Sequence, residues 1–181
     1  MKAESRFGRV LAAASLVLSA HFFVGADGLA TAAENLQPIF DGKSLAGWVQ
    51  RGGKAKYEVA DGCVVGTTVA NTPNSFLCTE KEYGDFILEL ELNADPKLNS
   101  GIQIRSHCYD RPTQFFWNGK TNTVPAGRVH GYQVEIDQSD KRRWSGGIYE
   151  EGRRGWLFPL ATNSPGGRAY KIGEWNKYRI E

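Results

Sequence analysis

Apolar and polar side chains alternate with a period of two in three parts of the chain, the signature of half-buried strands. Across residues 85–92, Phe86, Leu88, Leu90 and Leu92 fall on one face, and Ile87, Glu89 and Glu91 on the other. Residues 101–106 set Ile102 and Ile104 against Gln103 and Arg105. Residues 131–137 set Tyr132, Val134 and Ile136 inward against Gln133, Glu135 and Asp137. Shorter extended segments are expected at 57–59, 63–67, 75–78, 147–149 and 175–181. Turn-forming pairs separate them, among them Asp41-Gly42, Asp61-Gly62, Gly84-Asp85, Gly146-Gly147 and Gly166-Gly167. No stretch sustains a 3.6-residue apolar period.

Many short strands, each with one apolar face, must bury those faces in pairs of sheets. The expected fold is all-β, a β-sandwich or jelly roll. Two longer stretches interrupt the strand spacing. Residues 108–129 carry Tyr109, Phe115, Phe116 and Trp117, and residues 138–170 carry Trp144, Tyr149, Trp156 and Phe158. Long loops in compact domains are uncommon unless functional or disordered, and these are too aromatic for disorder. Their rings read either as packing under a loop or as flat faces for sugar rings.

The first 33 residues look different. Lys2, Arg6 and Arg9 precede an apolar run over 10–24, and small residues follow at Ala30, Ala32 and Ala33. The run is shorter than the ~20 residues that span a bilayer as a helix. Residues 1–33 therefore read as a signal-peptide helix and 34–181 as one domain, exported to the periplasm or outside the cell. The remainder holds 19 basic and 18 acidic residues, which argues against a nucleic-acid partner. After cleavage no segment is left to hold the protein to a membrane. Cys63, Cys78 and Cys108 form no Cys-x-x-Cys pattern, which argues against a zinc site; Cys63 and Cys78, in apolar strand-like segments, are expected as buried free thiols, with a Cys63–Cys78 bridge as the alternative.

If the three strong strands share a sheet, their polar sides gather Glu89, Glu91, Gln103, Arg105, Gln133, Glu135 and Asp137 on one face. Carboxylates beside a guanidinium can supply a base and an oxyanion partner. The same pattern also describes a solvated face laced with ion pairs. Glu135-x-Asp137-x-x-Asp140 approaches the Glu-x-Asp-x-x-Glu pattern of family-16 glycoside hydrolases, with a shorter last acid.

Several ordered segments carry a wider likeness. They are Phe40-Asp41-Gly42-Lys43-Ser44-Leu45-Ala46-Gly47-Trp48, Leu77-Cys78-Thr79-Glu80-Lys81-Glu82-Tyr83-Gly84-Asp85-Phe86, Asn99-Ser100-Gly101-Ile102-Gln103-Ile104-Arg105, Gly131-Tyr132-Gln133-Val134-Glu135-Ile136-Asp137 and Gly146-Gly147-Ile148-Tyr149. From residue 39 to 181 the chain resembles the 3-keto-disaccharide hydrolases, also described as 3-keto-glucoside 1,2-lyases and 3-keto-2-hydroxy-glucal hydratases. That family continues past the 175–181 strand, so the domain is expected to be incomplete at its C-terminus.

The resemblance implies a concanavalin-like sandwich, an enzyme that cleaves 3-keto-glycosides by C2 proton abstraction and β-elimination, with hydration of the glycal. It points to Glu135 as base, Arg105 as oxyanion stabiliser, Asp137 as orienting group and His130 as a further acid. Gln103, Gln133, Trp117, Tyr149 and His107 are the expected substrate contacts. A divalent cation held by Glu135, Asp137 and His107 is the candidate cofactor. The competing readings are a non-catalytic carbohydrate-binding module and a family-16-like hydrolase using Glu135 and Asp140.

Overall fold

The computed structural model describes residues 9–12, 17–18, 36–159 and 165–181. Among these, fifteen strands and one short helix follow one another. They are β1 (Arg9–Ala12), β2 (Val17–Leu18), β3 (Gln37–Pro38), β4 (Trp48–Gly52), β5 (Lys56–Ala60), β6 (Cys63–Thr67), β7 (Ser75–Thr79) and β8 (Leu88–Ala94). Then come β9 (Asn99–His107), β10 (Thr113–Trp117), β11 (Lys120–Val124), β12 (His130–Asp137), β13 (Ile148–Glu151), β14 (Gly155–Phe158), α1 (Pro165–Ala169) and β15 (Asn176–Ile180).

The chain is a β-sandwich. One sheet runs β15-β8-β1-β6-β5 and the other β14-β13-β12-β9, with β4-β7, β2-β3 and β10-β11 as two-stranded ribbons. Leu88, Leu90, Leu92 and Ala94 of β8 and Ile180 of β15 pack with Val134 and Ile136 of β12. Ile102, Ile104 and Ile148 close around them. Each fully buried Leu or Ile contributes about 2 kcal/mol through the water it sheds. The alternation read along β8, β9 and β12 is thus what the core uses.

Sheet membership departs from expectation. β8 lies in the sheet opposite β9 and β12. Its apolar side meets theirs, so its polar side points away from theirs. Glu89 pairs there with Lys177 and Arg179 of β15, remote in role from Glu135. The two aromatic stretches also acquire structure, because 108–129 folds up the β10–β11 hairpin and 138–170 supplies β13, β14 and α1.

Of the expected signal-peptide helix, residues 9–12 and 17–18 are extended and the rest lies outside the described residues. β1 pairs with β6 on one side and β8 on the other, which satisfies its backbone donors and acceptors as strand rather than helix. Among the described residues no helix is long and apolar enough to cross a membrane. Cys63, Cys78 and Cys108 are free, as expected, though half-buried rather than sealed in the core.

Candidate active site

Strands β9 and β12 position most of the expected residues. Gln133 stands opposite Gln103, Glu135 opposite Gly101 and Asp137 opposite Asn99. A file of side chains bonds across them. Ser106 Oγ donates to Gln103 Oε1 at 2.8 Å, Gln103 Nε2 to Gln133 Oε1 at 2.8 Å, and Gln133 Nε2 to Glu135 Oε2 at 2.9 Å. Asn99 Nδ2 reaches the other oxygen, Oε1, at 2.6 Å. Each Gln accepts with its carbonyl and donates with its amide, so the file runs one way and ends on a carboxylate. Glu135 is 3% exposed. Burial raises its proton affinity above the ordinary carboxylate value, and the donors Gln133 and Asn99 offset only part of that.

The file continues to the edge of a cleft of about 1030 Å³ between the β9 edge and the β5–β7 segment. Gln103, Arg105, His107, His130, Gln133 and Arg153 all line it. His107 and His130 are cross-strand partners, with ring centroids 5.9 Å apart, and Tyr109 lies against both at 5.3 and 5.4 Å. His130 Nδ1 is 3.0 Å from the Arg128 carbonyl oxygen. A carbonyl only accepts, so Nδ1 carries the proton there and a neutral His130 keeps its Nε2 lone pair.

Arg105 does not meet Glu135. Between His130 and Tyr132 the register slips, leaving Arg105 and Ser106 opposite Gly131, a β-bulge. Arg105 takes φ +47 there, which ends the alternation that would aim it with Gln103. Its guanidinium bonds Asp85 at 2.8 Å on the surface. Gly131 has to lack a side chain, since a Cβ would come 2.6 Å from Ser106 Oγ and 2.7 Å from Ser106 Cα.

Asp137 is turned to a different task. Its oxygens accept from Ser139 N, Trp144 N and the Arg142 guanidinium at 2.9 to 3.1 Å, which fixes the loop after β12. That engages both of its oxygens and gives it no hydrogen bond to Glu135. The candidate metal set of Glu135, Asp137 and His107 does not assemble, because His107 stacks on Tyr109 at the far end of β12. Among the described residues no group of three or more His, Cys, Asp or Glu side chains could hold a metal ion. Asp140 pairs with Arg143 at 2.7 Å, so it is not offered to Glu135 as a second glycosidic acid.

Tyr149 stands opposite Gln133 and packs edge-on against Trp156 at 5.3 Å, with Trp144 beyond it. Trp117, in the hairpin, is 46% exposed and lies under the Arg154 guanidinium at 5.4 Å. Sequence reasoning missed the group that holds this corner. Glu150 is buried, with Arg153 and Arg154 both paired to it. Burial alone would raise its pKa, but hydrogen bonds from Arg154 and the charges of both arginines hold it below the ordinary value. Two acids and two arginines around Gly152 were the available signal, and they carry no period that tells a buried cluster from a solvated turn.

A β-sandwich whose cleft is lined with amides, imidazoles and guanidiniums can offer hydrogen-bond partners to a sugar. The chain is a member of the 3-keto-alpha-glucoside-1,2-lyase-like domain family, whose model matches residues 35–181. No curated protein matches the sequence closely.

Proposed function

We propose that the protein is exported and cleaves 3-keto-glycosides by elimination followed by hydration. The 3-keto group acidifies the hydrogen on carbon 2. His130 Nε2 takes that proton and the electron pair passes to the ketone oxygen as an enolate. The enolate collapses, the bond from carbon 1 to the leaving oxygen breaks, and the imidazolium returns its proton to the aglycone. Water then adds across the glycal, giving net hydrolysis. Arg105 lines the same cleft, and its guanidinium reaches the enolate oxygen only by releasing Asp85, to which it is bonded here. Gln103 and Gln133 offer amide groups to ring hydroxyls, and the Glu135 carboxylate behind them fixes which way their amides face.

One observation carries this reading: a histidine that lines the cleft has its Nδ1 proton pinned on the Arg128 carbonyl, which leaves Nε2 as its basic atom. A second reading keeps Glu135 as base, and its raised proton affinity favours it. The test is turnover of a glucoside and its 3-keto counterpart, with product analysis. Wild-type protein is expected to release aglycone only from the oxidised substrate. His130→Gln is expected to lower kcat about 100-fold or more, and Glu135→Gln considerably less. The reverse order makes Glu135 the base. Release from unoxidised glucoside would favour ordinary glycoside hydrolysis, and sugar binding without turnover a carbohydrate-binding module.

A further inference from the structure

Outside the amide file, one end of the cleft is built differently. Arg153 lies over the Phe115 ring at 4.7 Å and Arg154 over the Trp117 ring at 5.4 Å, both within cation–π range. Both guanidiniums are tied to Glu150, whose side chain is 1% exposed. Arg154 also approaches the Tyr132 hydroxyl at 3.5 Å. Tyr132 and Arg153 line the cleft, and Tyr132 stands directly across from Glu150 in the sheet. Trp117, Arg154 and Tyr132 therefore form a continuous shelf running from the hairpin into the cleft.

We propose that this shelf is the leaving-group subsite, that it takes a planar aromatic aglycone, and that Glu150 is its positioning residue. The inference rests on the elimination reading above and names the substrate class for it. The chemistry of the shelf selects the occupant. Its surfaces are π-faces and guanidinium planes, which attract flat rings. Its one buried acceptor, the Glu150 carboxylate, is taken by both arginines, and Arg154 also reaches Tyr132. A second sugar ring needs acceptors as well as donors for its hydroxyls, and with Glu150 taken this shelf is left mainly with guanidinium donors. A phenol-type aglycone needs none.

Glu150 acts through the arginines rather than on substrate. Without its charge the two guanidiniums lose the anchor that holds them over Phe115 and Trp117, and the hairpin rings lose their fixed place at the cleft mouth.

The experiment compares 3-keto derivatives of phenyl glucoside, methyl glucoside and a disaccharide in the full chain. Each variant is read as its ratio to wild type, which cancels the intrinsic ease of leaving. Trp117→Ala and Glu150→Gln are expected to lower kcat/KM for the phenyl substrate about tenfold more than for the methyl one, the value of one lost aromatic contact. Most of that loss is expected in KM. Arg154→Lys, which keeps a cation over the Trp117 ring, is expected to lose less. Equal losses on all three substrates would mean a purely structural role and overturn the proposal, and so would a selective loss on the disaccharide. Binding of unoxidised phenyl glucoside, followed by titration calorimetry, separates the two levels. If wild type binds it and Trp117→Ala does not, while no 3-keto substrate turns over, the shelf stands and the elimination reading falls. If wild type shows no such binding and turns over phenyl and methyl substrates alike, the shelf falls and the elimination reading stands.

Discussion

Gly101 lies beneath the side chain of Gln133, so closely that a methyl group there would come within 2.3 Å of both its Cγ and its Cδ. The glycine is therefore part of the amide file, since it makes room for Gln133 to cross from Gln103 to Glu135. Gly101→Ala is expected to push Gln133 aside and break both of its hydrogen bonds. Forced overpacking of this kind costs about 1–3 kcal/mol. A urea-unfolding comparison checks the stability, and turnover of a 3-keto-glucoside is expected to fall together with it.

Glu135 predicts a pH dependence whose sign follows from its environment. Its carboxyl binds a proton more tightly folded than unfolded, so between the two pKa values the folded state holds more protons. Its contribution to stability is full below the unfolded value and declines as pH rises through the raised folded one. Glu135→Gln is expected to flatten that decline, measured as unfolding free energy from pH 4 upward. A slope identical to wild type would mean that the carboxyl titrates elsewhere.

Asp137 is expected to matter for folding more than for chemistry. Asp137→Ala orphans the Ser139 and Trp144 amides and leaves Arg142 without its buried partner, a loss of about 3 kcal/mol. Asp137→Asn keeps one acceptor and is expected to lose less. Chemical denaturation ranks the two. Activity per folded molecule that drops about 100-fold in Asp137→Asn would instead make it a reacting group.

Residues 9–12 occupy an interior position of a sheet, paired to β6 and β8. A chain beginning at residue 34 leaves both of those strand edges open, and open edges recruit other strands. Cleavage on export removes β1, so this chain is expected to match residues 1–181 in unfolding temperature and in size-exclusion chromatography, and earlier unfolding or self-association would count against cleavage there. Equal behaviour would show that the sheet closes without β1.

The local half of the site was legible. Gln133, Glu135 and Asp137 do share one side of β12, and Gln133 and Gln103 do face each other, because side chains two apart on a strand point the same way. The export of that rule to neighbouring strands failed twice. Glu89 and Glu91 alternate as expected, yet β8 joined the other sheet and took them away. Arg105 is in phase with Gln103 by count, yet a left-handed residue at the bulge opposite Gly131 broke the phase. Glu150 gave no periodic signal, since a buried carboxylate between two arginines looks in sequence like an exposed charged turn.

Taken alone, the order of residues determined the all-β class, the apolar faces that build the core, and the family, because these depend on repeats and motifs that lie within single segments. Tertiary structure decided which acids meet which bases. Strand partners, a one-residue slip in register and the sealing of a polar face are set by residues far apart in the chain. Desolvation of Glu135 and the capture of Arg105 by Asp85 exist only once those distant parts are in contact.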